Sequence, residues 1–510
     1  MRGIPISQIL VIVLFTLPWL NPFSFGPTPA IASLIFSWFC AGAAGMGIAL
    51  SDWGRDRRRI VHIIAAAWVL AALISVFLGL LQYFGKSDLF NPWMNVTTPG
   101  IAYGNLRQRN QFATLTNIGL AALIGWGAST ATARTWQWVV YAWAAVLAVG
   151  NAASSSRTGF TQLLLFAGLA ALWMAGNRRN GARQEKRFRL VGVACGTYAI
   201  AVWALPLVGG LDPQSTGILG RLLEDVSLCS SRITLWSNVL QLIGQQPWSG
   251  WGWGQLDYAH FLTIYPGARF CDLLDNAHNL PLHWAVELGV PVALVLSGLV
   301  LWQIIRAKPW RETSATAQMA WSVLAVVGLH SLLEYPLWYG PFQLSVGLSV
   351  YILWCTPLSA GGICEMRDAR PSRISLAVAL AATCLLVACT YAAWDYWRVS
   401  QLYLPLAERS RGYRDDTLEK VQGTVLFQDQ VLFAEMTTTP LTGHNAERLN
   451  ALAKQLLHFS PEPRVVEMLI ESAVMLGRDD EALFYLQRFK AAYPEAHAKW
   501  ANPSGSHKTP

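Results

Sequence analysis

The run Pro247-Trp248-Ser249-Gly250-Trp251-Gly252-Trp253-Gly254 and, after it, Asp275-Asn276-Ala277-His278-Asn279 lie in a polar stretch from about 209 to 283, with a very apolar run on either side. The flanks do not fit a soluble domain. The 510 residues are 53% hydrophobic and only 13% charged, whereas soluble domains carry about a quarter charged residues. So much apolar surface exceeds what one globular core can hold, so lipid must cover part of it. The 24 tryptophans suit a chain with many segment ends at headgroup level.

Working outward from the polar stretch, about eleven apolar segments approach the length that spans a bilayer. They cover 4–20, 30–50, 60–84, 112–129, 136–150, 159–175, 190–208, 282–305, 319–332, 342–355 and 374–394. The first reads as a membrane helix, because Pro18-Trp19-Leu20-Asn21-Pro22 offers no small-residue cleavage site. The net charge of +8 does not point to nucleic acid, since the basic residues cluster in short loops. The loop 177–189 carries Arg178, Arg179, Arg183, Lys186, Arg187 and Arg189; Arg55-Asp56-Arg57-Arg58-Arg59 is similar, and Arg306-Ala307-Lys308 and 367–373 are milder. These loops fall at every second boundary, which makes them cytoplasmic. The N-terminus is then inside, and both the 209–283 loop and everything after Trp394 are outside. The expected organisation is membrane helices over 1–208, a large loop over 209–283, membrane helices over 284–394 and a soluble helical domain over 395–510.

In that last part, 445–459, 462–476 and 479–493 have the apolar spacing of amphipathic helices, punctuated by Pro461, Gly477 and Pro494. Leu476-Gly477-Arg478-Asp479-Asp480-Glu481-Ala482 with Tyr485 resembles part of a tetratricopeptide unit. Such stacked helix pairs bind proteins, and a small helical cap without a partner fits the same residues. The tail 502–510 reads as unstructured.

His278 stands just ahead of a predicted N-cap, Asn279, with Pro281 in the first helical turn. A helix N-terminus disfavours imidazolium and offers N–H groups to phosphate. A base and an anion-attracting helix end at one point suit transfer from a phosphate-linked donor to a hydroxyl, although many loop histidines are merely exposed. Arg157, in Ser154-Ser155-Ser156-Arg157-Thr158-Gly159, lies at the external end of a membrane helix. Arg232, in Ser230-Ser231-Arg232, opens an amphipathic helix whose Ile233, Trp236, Val239 or Leu240, and Ile243 are expected to line a face lying on the membrane interface. Guanidinium binds phosphate bidentately and stays charged; contact with lipid headgroups is the alternative.

Two further external segments are dense in polar groups: Gly104-Asn105-Leu106-Arg107-Gln108-Arg109-Asn110-Gln111 and His330-Ser331-Leu332-Leu333-Glu334-Tyr335-Pro336-Leu337-Trp338-Tyr339. Polar residues at membrane depth are costly and tend to be functional, so Arg109, Gln111, Glu334 and Tyr335 join the candidates. The alternative is a helix-capping turn with aromatic anchors. The Trp/Gly run can stack on sugar rings or anchor at the interface. Among eight cysteines no C-x-x-C pair occurs. Cys229 and Cys271 can pair if the loop faces an oxidising compartment, although spacing does not fix connectivity. Asp272, Asp275 and His278 are spaced by three, yet two acids and a histidine are not specific, and a metal-free site without cofactor is the preferred reading.

The order and membrane setting of Ser-Ser-Ser-Arg-Thr-Gly (154–159), Ser-Arg-Ile-Thr-Leu-Trp (231–236), Pro-Trp-Ser-Gly-Trp-Gly (247–252) and Asn-Ala-His-Asn (276–279) resemble the O-antigen ligase superfamily. Gly-Asn-Leu-Arg-Gln-Arg-Asn-Gln-Phe (104–112), His-Ser-Leu-Leu-Glu-Tyr-Pro-Leu-Trp-Tyr (330–339) and the soluble C-terminal domain resemble its PglL-like protein O-oligosaccharyltransferases. The resemblance implies an all-α polytopic membrane protein of the bacterial inner membrane (GT-C-like), with a long periplasmic loop and a C-terminal helical, TPR-like domain. It implies transfer of an oligosaccharide from undecaprenyl pyrophosphate to Ser/Thr hydroxyls of pilin or another periplasmic protein. His278 matches the family's loop histidine, Arg157 and Arg232 its arginines, and Gln111 and Tyr335 are implied to take part. A glycolipid-directed ligase or polymerase shares the membrane half. A lipid-linked glycan transporter is disfavoured because no internal repeat is visible.

Overall fold

The computed structural model describes residues 5–21, 26–91, 93–130, 134–176, 181–223, 228–355 and 371–501. Among them the regular structure is helical throughout. In chain order the helices are α1 (Ile6–Leu20), α2 (Pro29–Leu50), α3 (Arg57–Tyr83), α4 (Arg109–Thr130), α5 (Arg134–Ala153), α6 (Arg157–Gly176), α7 (Gly181–Val208) and α8 (Gly217–Leu223). Then come α9 (Arg232–Gln245), α10 (Leu256–Leu262), α11 (Leu280–Leu288), α12 (Val290–Ala307), α13 (Ala315–Ser331), α14 (Gly340–Cys355) and α15 (Pro371–Ser400). The chain finishes with α16 (Thr417–Val421), α17 (Gln428–Thr438), α18 (Ala446–Leu456), α19 (Pro463–Met475), α20 (Asp479–Ala492) and α21 (Pro494–Ala501).

Each apolar segment expected from the sequence is helical, 282–305 in two pieces. Among the described residues, six helical stretches are both long and apolar enough to cross a bilayer, and α1 and α14 are shorter apolar helices. This is a multi-pass membrane protein. The chain divides into two compact units, one of 1–224 with 304–393 and the other of 225–303 with 394–510.

The first unit is built around α3 and α4. Asp56 caps α3, its carboxylate accepting from Arg59 N, and 27 residues then run without interruption. Without a hydrophobic drive between helices in lipid, close packing needs small residues. A Cβ on Gly119 of α4 would lie 2.7 Å from Ala72 Cβ of α3, and one on Gly150 of α5 would lie 2.3 Å from Val76 Cγ2. The basic run expected as a loop over 177–189 is different in the part described: α7 already begins at Gly181, and Arg187 reaches Gln318 Oε1 at 2.6 Å. Arginine and lysine are good helix formers, so their charge did not end the helix. The tail at 502–510 and, but for its last three residues, the basic segment at 367–373 lie outside the described residues.

The second unit has a small core of its own, in which Leu235, Val239 and Leu242 of α9 pack with Leu256, Ala259, Phe270, Leu274, Ala277 and Val286. Helix α9 has two apolar stripes, and the loop core does not take the one expected at the membrane interface. Its buried side is 234, 235, 238, 239 and 242, while Ile233 and Leu240 are 82% and 57% exposed. Both stripes have helical spacing, and the loop core took the one carrying Asn238. Its side chain also closes the loop backbone, accepting from Phe270 N at 2.8 Å and donating to Ala268 O at 3.0 Å.

Two expectations are corrected. The segment 282–305 is not one helix but α11 and α12, broken at Gly289 with φ 86°. The Trp/Gly run lies against the break: Trp251 N donates to Val286 O, Gly252 N to Glu287 O and Val290 N to Pro247 O. A Cβ on Gly250 would lie 2.4 Å from the Glu287 carbonyl, and one on Gly289 2.2 Å from Trp248 O. The last long helix does not stop at 394. It runs to Ser400 because Asp395, fully buried, is neutralised by Arg398 at 2.6 Å and accepts from Thr424 Oγ1, Val425 N and Leu426 N.

The expected amphipathic helices of the C-terminal region form α18, α19 and α20, with Leu449, Leu456, Val465, Val466, Leu469 and Phe489 in their core. Phe261 of α10 belongs to that core as well. Tyr258 stacks on His458 with ring centroids 3.8 Å apart, Gln255 bonds to His458, and Arg488 Nε donates to Leu262 O at 2.8 Å.

Candidate functional site

In the second unit, His278 is set by a tightly specified turn. Asn276 Oδ1 accepts from His278 N at 2.8 Å, and Asn279 caps α11, its side chain accepting from Leu282 N with Pro281 in the first turn. The cap and the proline stand where the sequence puts them. What the sequence does not announce is that His278 itself is left-handed, at φ 51°. A non-glycine residue there is uncommon and is held by its surroundings. The buried Ala277 and Asn276 on one side and the cap on the other hold it, leaving the imidazole partly exposed.

Arg232 is the first residue of α9, behind Ser231, whose hydroxyl accepts from Thr234 N. One turn on, Trp236 Nε1 donates to Ala277 O at 3.1 Å, the carbonyl immediately before His278. The start of α9 and the histidine turn are therefore tied to each other within one fold. Cys229 and Cys271 are disulfide-bonded, with Cα atoms 5.2 Å apart and Cys271 N donating to Cys229 O. The bridge closes the segment three residues before Arg232 onto the one seven residues before His278. Among the described residues no group of three or more His, Cys, Asp or Glu is disposed as metal ligands, the trio Asp272, Asp275 and His278 included.

Beneath this turn lies a buried acid and histidine group. His283 Nε2 is 3.4 Å from Glu287 Oε2, both almost wholly buried. Glu287 accepts backbone N–H groups from Gly254, Gln255 and Leu256, so it holds the start of α10. Burial pushes Glu287 up to about 7 against these bonds and brings His283 down to about 4. Asp257 is likewise pushed up to about 7, first by burial and further by the nearby Asp275 and Glu287, while Tyr258 N–H works in the opposite direction. His260 falls to about 3 by burial and the neighbouring Arg269, its Nδ1 2.7 Å from Tyr265 Oη.

The first unit collects the other candidates. Arg157 opens α6 and is exposed, directly after the turn Ser154–Ser156 in which Ser155 has φ 53°. Arg109 opens α4, and Gln111 is buried at the edge of a cavity of about 350 Å³ lined also by Trp19, Asn105, Arg107, Gln108 and Tyr339. Glu334 is buried and accepts from Asn110 Nδ2 at 3.0 Å. Tyr335 follows and stacks on Tyr339, with centroids 6.1 Å apart.

The sequence missed what connects these. Ser156 Oγ donates to Asn110 Oδ1 at 2.7 Å, so Asn110 joins the Ser-rich turn before Arg157 to Glu334. One turn deeper, Thr114 Oγ1 lies 2.9 Å from His330 Nδ1 and accepts from Gln162 Nε2 at 2.8 Å. Asn117 Nδ2 donates to Gln162 Oε1 and Asn151 Nδ2 to Asn117 Oδ1. Asn110, Thr114 and Asn117 are spaced by four and three, one stripe of α4. That spacing was the available signal, obscured by the other polar residues of the same helix, Arg109, Gln111 and Thr116.

Three stretches match known families: residues 102–126 a protein glycosylation ligase family, 142–297 the O-Antigen ligase family, and 318–506 the C-terminal part of a virulence factor membrane-bound polymerase family. The chain is 24% identical over 319 residues to a general O-oligosaccharyltransferase of Acinetobacter baylyi, covering 59% of this chain and 52% of that protein. It is 25% identical over 294 residues to a ComP-specific O-oligosaccharyltransferase of the same organism, covering 56% of this chain and 50% of that one. The matched part thus spans about half the length of each relative.

Proposed function

We propose, from the premise that this chain is a PglL-like member of the O-antigen ligase superfamily, that it is a protein O-oligosaccharyltransferase. It moves an oligosaccharide en bloc from undecaprenyl pyrophosphate to a Ser or Thr hydroxyl of a periplasmic or pilus protein. The observation that carries this reading is the turn 276–279, which presents a partly exposed imidazole at the capped N-terminus of α11. Trp236 ties that turn to the helix that Arg232 begins.

In this reading the acceptor oxygen attacks the anomeric carbon as the bond from that carbon to the pyrophosphate oxygen breaks. The hydroxyl proton passes to His278, and undecaprenyl pyrophosphate leaves as an anion. Arg232 binds the pyrophosphate, so the charge that develops on the leaving group is met by a fixed guanidinium and no general acid is needed. The same proposal assigns donor phosphate to Arg157. Attack opposite the leaving group inverts the anomeric centre, and no metal takes part. Arg109, Gln111, Glu334 and Tyr335 are further residues assigned a part in the reaction.

The Lys/Arg bias of the short loops supports about eleven membrane helices in the bacterial inner membrane. It orients the N-terminus to the cytoplasm and the 209–283 loop and C-terminal helices to the periplasm. A disulfide between Cys229 and Cys271 agrees with that oxidising side. The helix pairs α18 to α20 take the part of a TPR-like surface for a protein acceptor.

The deciding experiment is transfer from purified lipid-linked glycan to a candidate pilin, with and without EDTA and with a glycolipid acceptor in parallel. Glycosylated pilin, undiminished by EDTA, is the expected product. Transfer only to the glycolipid would replace the protein acceptor, and movement of the donor across a bilayer without covalent transfer would make the chain a transporter. Arg232→Lys should lose about tenfold or more in turnover, because an ammonium lacks the bidentate fork. Wild-type turnover in that variant would leave Arg232 a headgroup contact.

A further inference from the structure

The Trp/Gly run contains an indole that the proposed chemistry leaves unused. Trp248 is 81% exposed, although tryptophan seldom leaves its ring in water without a reason. Its backbone lies against the beginning of a membrane helix: Val290 N, the first residue of α12, donates to Pro247 O at 2.8 Å, and the Trp248 carbonyl closes on Gly289 so tightly that a Cβ there would lie 2.2 Å away. From that point α12 presents apolar side chains on all sides. Leu294, Val295, Leu299, Val300 and Leu301 are each more than half exposed, and the span is only 6% buried. Such a helix is surrounded by lipid. Trp248 therefore extends a lipid-facing surface at the level where the chain passes from membrane to loop, the depth at which amphipathic indoles collect.

We propose that Trp248 is a membrane anchor whose indole sits at the boundary between headgroups and acyl chains, fixing the height of the loop on the bilayer. The consequence for His278 is geometric. Helix α11 has 9 residues, about 14 Å at 1.5 Å per residue, and it runs from the histidine turn to Gly289. With Gly289 held at the bilayer surface beside Trp248, the imidazole lies within roughly 15 Å of that surface. This last step rests on the reading of His278 as the base for a lipid-borne donor, whose pyrophosphate lies at headgroup level.

The test uses the full chain in nanodiscs of phosphatidylethanolamine and phosphatidylglycerol. A phosphatidylglycerol probe with a diazirine on the acyl chain near the glycerol, and separately a water-soluble diazirine, are photoactivated, and adducts are located by residue-level mass spectrometry. The lipid probe should mark Trp248 together with the exposed residues of α12, and the aqueous probe should spare it. Trp251, whose Nε1 donates to Leu242 O at 3.0 Å, should take little lipid label. Aqueous labelling of Trp248 without lipid labelling overturns the anchor. In transfer assays, Trp248→Ser should raise KM for the lipid-linked donor about tenfold, the scale of an aromatic ring removed from an apolar environment. Its thermal midpoint should be unchanged, and Trp248→Phe should restore KM. Lipid labelling with unaltered KM overturns the link to the site while the anchor stands. Absence of any glycan transfer by the wild type overturns the proposed activity instead, and the labelling pattern then judges the anchor by itself.

Discussion

The two polar regions of this protein are held in opposite ways. In the first unit, Asn110, Thr114, Asn117, Asn151, Ser156, Gln162, His330 and Glu334 are joined mainly side chain to side chain, between helices whose backbones are already satisfied. In the loop of the second unit, side chains and glycines serve the backbone instead. Asn238, Asn276, Asn279, Trp236, Trp251 and Glu287 all bond main-chain groups, and Gly250 and Gly289 admit a neighbouring carbonyl. The difference follows from what each region lacks. A membrane helix needs no help with its N–H and C=O groups but cannot leave a polar side chain alone. An irregular loop must find partners for its main chain before it can aim a side chain.

The comparison breaks first at the loop's chemistry. His278→Ala should reduce transfer by about a thousandfold or more, with membrane insertion and the thermal midpoint unchanged. A well-expressed, fully active variant removes the histidine from the mechanism. Next comes the backbone. Gly289→Ala forces a side chain into a left-handed position and against Trp248 O, and should cost about 2–4 kcal/mol. It should be seen as a lower thermal midpoint and faster proteolysis within the loop. If the loop stays protected, the close approach at the α11–α12 break is not what holds it.

A smaller effect is expected where side chains do the holding. Asn110→Ala leaves a buried carboxyl and a buried hydroxyl without this partner, at about 1–3 kcal/mol. Thermal unfolding in detergent should show the loss, while Asn110→Asp, which keeps the acceptor for Ser156 but not the donor to Glu334, should fall at least as far. Equal stability of all three proteins would show the network to be incidental.

The smallest effect concerns pH. Asp257 and Glu287 have folded values raised to about 7 from ordinary values of 3.8 and 4.5. A raised value means that the folded state keeps its proton longer. Their contribution is therefore whole below about pH 4 and is lost as pH rises through about 7. His260 and His283, lowered to about 3 and 4, act in the other direction, contributing fully above 6.5 and less as pH falls through those values. Asp257→Asn cannot ionise, so its midpoint should gain on the wild type by a few degrees between pH 5 and 8, at roughly 2–4 °C per kcal/mol. Parallel curves for the two proteins would refute the buried acid as the source.

Much of the architecture was legible because the bilayer imposes so simple a rule on composition. Segment positions, the cap at Asn279, Pro281 at the start of its helix and the three amphipathic helices of the C-terminal region all depend on neighbours within a few residues. Which stripe of α9 meets the loop core was not legible, because two apolar stripes run along it and only the position of that core chooses between them. The break at Gly289 was invisible in a continuous apolar run, since glycine is ordinary in membrane helices. The last long helix is expected to end at Trp394 because the charge of Asp395 usually marks water, and here Arg398 and Thr424 satisfy it out of sequence view.

By itself, then, the sequence determined which segments are apolar and where α11 is capped, because these are local properties of side chains. Tertiary structure alone decided that Asn110 links Ser156 to Glu334, and that α10 packs Phe261 into the C-terminal core. It also decided that Trp236 fastens the turn of His278 to the helix of Arg232. Each of these joins residues dozens to hundreds of positions apart. Spacing along the chain carries no record of such meetings, for they depend on how packed helices and a closed loop bring distant atoms within hydrogen-bond reach.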